Sequence, residues 1–403
     1  MVKSTTLVSA FFSLLASTAA VTIPDTDYEV IVVGGGPAGL SALSGVSRVR
    51  RKALMIDSGH YRNDPTREMH DVIGNDGTPP ANFRKLAREQ ILKYDTATIE
   101  DETVDSIDPI KGDFTSFNVK ISNGTTYTAR KIVLGTGVYD VLPDTPGLKE
   151  GFGKGIWWCP WCDGYEHRDQ PLGMIGDISE QLSNVLEVHT LYSDMIAFVN
   201  GTQTPEGEAK ATAKVADWKE QLAAWGTKID NRTIASIERL QDGGQNRSET
   251  EHAQYDKFRV HFTTGEPVER SAFIINVPTD QYSSLPAKMS LDMDGKKINV
   301  TSAMRTSESG VFAVGDANSD GSTNVPHAMF SGKKAAVYLH GKFRFYTLEF
   351  LFLTDLVLVE LSREESKSKV SKREGLSRRE LEKEADRAIG ENLEKEWQRA
   401  MRM

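Results

Sequence analysis

Cysteine is nearly absent from this chain: there are two in 403 residues, and both fall in Trp157-Trp158-Cys159-Pro160-Trp161-Cys162-Asp163-Gly164. That scarcity excludes a disulfide-stapled framework. It also argues against a structural zinc site, which needs about four ligands, because no second Cys pair and no nearby His-x-x-x-His accompanies the first. A purely structural bridge closing so short a loop would remove little unfolded-state entropy. The spacing therefore favours a pair that opens and closes by thiol–disulfide exchange.

Two further things are lacking. Lys and Arg number 48 against 57 Asp and Glu, a formal net charge of −9, which speaks against a nucleic-acid surface. Phe343 to Leu361 is apolar but carries Arg344, Glu349, Asp355 and Glu360, so no stable membrane span is expected. What is present is ordinary for a chain with a real core: 39% hydrophobic residues, and a length that suits two to three domains.

Residues 1–20 read as a signal peptide, with Lys3 before the apolar run Leu7 to Ala16 and small residues at Ser17-Thr18-Ala19-Ala20. Asn-x-Ser/Thr sequons at Asn123, Asn200, Asn231, Asn246 and Asn299 point the same way, to a glycoprotein that is secreted or held in the secretory pathway.

Glu29-Val30-Ile31-Val32-Val33 reads as a strand buried on both faces, and Gly34-Gly35-Gly36-Pro37-Ala38-Gly39 follows it at once. A helical pattern through Leu40, Leu43 and Val46 and a second strand, Ala53 to Ile56, lead to Asp57. In that context the glycines are a dinucleotide fingerprint. Gly34 suits the tight turn, Gly36 the approach of a pyrophosphate and Gly39 close packing of helix on strand, while Asp57 suits a ribose. Phe117 to Ile121 and Thr126 to Ala129 read as a hairpin about Asn123-Gly124, and Lys131 to Leu134 as a separate strand running into Gly135-Thr136-Gly137.

A second nucleotide unit begins at Pro171 to Gly176, but Asp177, Ile178 and Gln181 stand where small residues should follow. A β-branched side chain cannot take the glycine conformation, and a carboxylate would face the phosphate. Thr204-Pro205 is expected to open one helix reaching Trp225, and Gln241 to Asp256 to form an exposed hairpin loop. Gly310 to Asp316 reads as a buried strand ending on an acid, followed by a helix from His327 to Leu339 that stops at Gly341. Ser362 to Met403 is densely charged with both signs and reads as a solvated helix.

Taken in order, Gly34 to Gly39, Gly135-Thr136-Gly137, Cys159-x-x-Cys162-Asp163-Gly164 and Gly310 to Asp316 resemble the low-molecular-weight thioredoxin reductases. The resemblance implies an α/β fold of two Rossmann-like, three-layer domains. An FAD domain in two parts, 25–147 and 287–341, would be split by a pyridine-nucleotide-like insert at 148–286 that carries the cysteines, with a charged helical extension at 342–403. It further implies FAD as cofactor, no metal, and a homodimer. Cys162 would face the flavin, Cys159 would exchange with substrate, and Asp163 or His327 would handle the proton. FAD contacts would come from Gly34, Gly36, Pro37, Ala38 and Gly39, from Asp57, Ser58, Gly59, His60, Tyr61 and Arg62, and from His70, Gly135, Thr136, Asp316, Asn324 and Val325. Asp57-Ser58-Gly59-His60-Tyr61-Arg62-Asn63, His70 and Pro326-His327 look like the branch that closes disulfides in gliotoxin-type metabolites. With the second fingerprint ruined and no Arg pair after Phe198, the expected reaction is oxidation of a small-molecule dithiol by O2 in secondary-metabolite biosynthesis. An NADPH-dependent disulfide reductase and a non-catalytic secreted flavoprotein are the competing readings.

Overall fold

Tyr28–Val33 lies at the heart of a seven-stranded sheet in the computed structural model, which describes residues 24–112 and 114–360. It pairs in parallel with Ala53–Ile56 on one side and with Thr126–Leu134 on the other. Its continuous apolar run follows from cover on both faces: Val30 and Val32 pack under helix Pro37–Ser47 and the last helix, whereas Ile31 and Val33 join Leu285, Leu291 and Ile298.

Thr126–Leu134 is one unbroken strand, not a hairpin arm followed by a separate strand. Opposite Tyr28–Val33, its first half pairs antiparallel with Ser116–Ile121 and its second half in parallel with Val311–Ala313, so one edge of a single strand serves two partners. The final helix also differs from expectation. It runs from Val325 to Glu360 and passes through Gly341. Nothing turns the chain at Gly341, which has no positive φ, and a glycine inside a helix costs only about 1 kcal/mol relative to alanine. Phe343, fully buried against Arg51 and Arg130, helps carry the helix past it. The expected signal peptide and the stretch 361–403 lie outside the described residues.

The second sheet is parallel throughout, in the order Lys228–Asp230, Met195–Phe198, Leu172–Ile175, Ala272–Ile275, Ile156–Trp157. One face packs on helices through Leu182, Val185, Val188, Trp218 and Leu222. The other packs on a three-stranded antiparallel sheet of Ile234–Gln241, Lys257–Phe262 and Val268–Arg270. The fold is therefore two three-layer, Rossmann-like units. A two-stranded ribbon, Val138–Asp140 with Thr279–Gln281, carries the chain into the second unit and back.

Two local expectations fail here. The helix from Pro205 ends at Lys214, Val215 is extended, and a new helix spans Trp218–Ala224, a break that lets Trp218 turn into the core. The stretch 241–256 is not simply an exposed loop: Asp256 is 2% exposed, pulled inward by cationic partners described below. No helix among the described residues is long and apolar enough to cross a membrane.

Candidate active site

Both glycine-rich turns and the cysteine stretch open on one cavity of about 1040 Å³. Small-molecule sites typically run to about 1,000 Å³, so this one suits a large ligand. Gly34 has φ +103° and a side chain there would strike the carbonyl of Gly135, while one on Gly39 would strike the carbonyl of Gly34. These two glycines are required by the protein itself. Gly36 is different: a Cβ there meets nothing within 4 Å, so the space over it, on the cavity side, is open. The buried Thr136 hydroxyl has no partner and lies in the same wall. An open cradle over a helix start beside an orphan hydroxyl is what a pyrophosphate-bearing cofactor such as FAD requires.

Of the expected cofactor residues, Gly34, Gly36, Pro37, Ala38, Ser58, His60, Tyr61, Arg62, His70, Gly135, Thr136, Asp316, Asn324 and Val325 all line this cavity; Gly39, Asp57 and Gly59 do not. Asp57 sits beneath the turn. Its Oδ1 accepts from the backbone N–H groups of Gly35 and Gly59, both at 3.1 Å, and its Oδ2 from Tyr61 at 2.7 Å and Arg88 at 3.1 Å. These four donors occupy both carboxylate oxygens and brace the turn. The Tyr61 hydroxyl is pushed up to about 12 by burial and by this carboxylate.

Arg62 ties three segments together. It forms a forked pair with Asp140 on the crossing ribbon, at 3.0 and 2.7 Å, and reaches Asp316 at 2.7 Å. Its guanidinium also lies 4.4 Å from the centre of the Trp158 ring, next to the cysteines. Asn324 accepts from the His327 N–H at 2.7 Å and so caps the last helix. The His327 imidazole turns to Asp320 at 2.9 Å and does not line the cavity, although its neighbours Asn324, Val325 and Ala328 do.

Cys159 and Cys162 are joined in a disulfide at the cavity wall, across the first turn of the short helix Pro160–Asp163. Cys159 is 8% exposed and Cys162 somewhat more open. Asp163, directly after Cys162, is pushed up to about 6: burial penalises its carboxylate more than the Thr66 hydrogen bond and the nearby His167 and His70 favour it. Glu166 is likewise raised by burial, and its Oε2 has no partner. His70 lies 3.6 Å from Glu166 and 3.4 Å from Asp76.

A family model described as pyridine nucleotide-disulphide oxidoreductase matches residues 28–332. The chain belongs to this family. A probable thioredoxin reductase of Arthroderma benhamiae is 47% identical over 410 residues, covering 97% of each chain. Thioredoxin reductase tcpT of Claviceps purpurea is 32% identical, over 76% of this chain and 91% of its own. Among solved structures, that of HlmI superposes with a TM-score of 0.71 at 24% identity, over 82% of this chain and 97% of that one. A putative thioredoxin reductase from Bacillus anthracis gives 0.69 at 23% identity, over 79% and 99%. This protein is thus an oxidoreductase of the thioredoxin-reductase type.

For a pyridine nucleotide-disulphide oxidoreductase, its second nucleotide turn is unusual. The N–H of Ile178 is taken by Thr202 at 3.0 Å, that of Ser179 by the Asp177 carboxylate at 2.9 Å, and that of Glu180 by the Asp177 carbonyl at 3.0 Å. Gln181, fully buried, donates to the same carbonyl. Burial would raise Asp177, but the Ser179 hydrogen bonds and Lys210 and Lys214 outweigh it and lower it. The donors that would cradle a phosphate are held by the chain's own oxygens, and none of residues 176–181 lines the cavity. Sequence reasoning missed Thr66, Arg67, His167 and Asp256. No local pattern marks these residues, because Asp256 lies 89 residues from His167 and 189 from Arg67, and Asp163 lies 97 from Thr66.

Proposed function

We propose that the protein is an FAD-dependent dithiol oxidase: a small-molecule dithiol and O2 give the corresponding disulfide and hydrogen peroxide, in secondary-metabolite biosynthesis. The observation that carries the reading is the contrast between the two turns, one with open space over Gly36 and one closed by Asp177, Thr202 and Gln181. The N–H groups of the second turn are already taken by Thr202 and Asp177, which supports electrons entering from the disulfide side rather than from a nicotinamide donor.

FAD would be held by the sheet unit of 25–147 and 287–341, through the Gly34–Gly39 turn, Thr136, Arg62 and Asp316. When bound, it supplies a two-electron acceptor for the cysteine pair and a donor to oxygen. The protein's own residues do the exchange. One substrate thiol gives its proton to the Asp163 carboxylate and attacks Cys159; the new S–S bond forms as the Cys159–Cys162 bond breaks, and Cys162 leaves as a thiolate. The second substrate thiol then attacks its partner sulfur, its proton passing to the departing Cys159 sulfur; the mixed S–S bond breaks as the product S–S bond forms, and the product leaves as a disulfide with Cys159 as thiol and Cys162 as thiolate. His327, turned to Asp320, is left out of this sequence.

A second reading, NADPH-driven disulfide reduction, is favoured by the names of the relatives. Anaerobic titration separates the two: flavin bleaching by a small dithiol but not by NADPH is expected, and bleaching by NADPH would sink the oxidase reading. We further infer entry into the secretory pathway and assembly as a homodimer. All five sequon asparagines are exposed, which supports the first; endoglycosidase shifts and light scattering test each in turn.

A further inference from the structure

The segment Pro65 to Met69 belongs by sequence to the first sheet unit, yet the side chains of Thr66, Arg67 and Glu68 are fastened to the second, while Met69 packs on Val72 and Phe83 of the first. Thr66 Oγ1 donates to Asp163 Oδ1 at 3.0 Å, the one side-chain hydrogen bond to that carboxylate among the described residues. Arg67 reaches both oxygens of Asp256 at 2.9 Å, Gln254 at 2.7 Å and Asp242 at 2.6 Å. Asp256, whose side chain is fully buried, also takes hydrogen bonds from His167 Nε2 at 3.0 Å, Arg239 at 2.9 Å and the Gly243 N–H at 2.8 Å. The other nitrogen of His167 lies 2.9 Å from the carbonyl oxygen of Asp163. Two adjacent residues of one strap thus grip Asp163 from both ends, its carboxylate through Thr66 and its backbone through Arg67, Asp256 and His167.

We propose that Thr66 and Arg67 are positioning residues for the exchange reaction: the strap holds the Asp163 carboxylate in its proton-accepting state beside Cys162, so that a reactive disulfide depends on the two units being fastened together. The inference rests on the reading of Asp163 as proton acceptor and goes beyond it. Glu166 disfavours the carboxylate, while His70 and His167 favour it; those groups stay in place when Thr66 is changed. Burial raises Asp163 to about 6, and the Thr66 hydrogen bond, with His167 and His70, keeps it from rising further.

The test reads the disulfide directly. The holoenzyme is mixed anaerobically with dithiothreitol between pH 5 and 9, and the cysteine thiols released are trapped by alkylation and counted by mass. Ionisation of the reagent is common to all variants, so the ratio of rates isolates the protein. Thr66→Val is expected to move the acid limb up by about one pH unit, making it about tenfold slower than the parent below pH 6 and equal to it above pH 8. Thr66→Ser restores the parent profile. A Thr66→Val profile that superimposes on the parent, or that is slower by the same factor at every pH, overturns the proposal. Oxygen is absent from this assay, so failure to form peroxide would sink the oxidase reading and leave the strap standing.

Discussion

Replacing Gly36 by Val separates what the protein needs from what its ligand needs. Gly36 has φ −71° and ψ 177°, an extended conformation open to any residue, and a Cβ there touches nothing. The flavin-free protein should therefore keep its stability to within about 0.5 kcal/mol, the usual range for a substitution with no contacts. The added methyls enter the space through which a pyrophosphate must approach the backbone, so affinity for FAD should fall at least about 100-fold, close to 3 kcal/mol. Gly39→Ala provides the opposite case, since its Cβ collides with the Gly34 carbonyl and the fold itself must yield. Urea titrations of flavin-stripped protein, followed by tryptophan fluorescence, give the stabilities; flavin per protein after gel filtration and a binding titration give the affinities. If Gly36→Val unfolds early while retaining flavin, the assignment of the open space over Gly36 to a cofactor is wrong.

Other substitutions probe the charges. Asp163 rises from 3.8 in the unfolded chain to about 6, so burial exacts little penalty below about pH 4 and its full penalty above pH 6. Asp163→Asn should thus gain up to about 3 kcal/mol on the parent at pH 7 and only about 0.5 kcal/mol at pH 4; an equal gain in urea midpoint at both pH values would contradict that sign. Arg62→Met leaves the nearly buried Asp140 and the partly buried Asp316 without their cation, and about 3 kcal/mol should be lost at pH 7. A change below 1 kcal/mol in the same urea assay would mean that water replaces the guanidinium freely.

The architecture was legible in the chain because its signals are local. A strand, a glycine turn and a helix follow one another within residues 28–47, and two cysteines two residues apart carry their chemistry in their spacing. The same locality let Asp177, Ile178 and Gln181 betray a closed second turn, which the structure explains hydrogen bond by hydrogen bond. Where the reading failed, the deciding contact was distant or the local signal was overruled. Gly341 carries a stop signal that the helix runs through, with Phe343 buried beyond it. Asp256 looked like a loop acid until Arg67, 189 residues away, and His167 drew it inside.

From its sequence alone this protein is a two-unit α/β chain with a redox-type cysteine pair, one intact nucleotide turn and one spoiled, because backbone conformation and short spacings follow from neighbouring residues. Tertiary structure alone decides the state of Asp163. Its carboxylate is set by burial and by a hydroxyl 97 residues earlier in the chain, and desolvation and hydrogen bonding of that kind exist only once the two units have folded against each other.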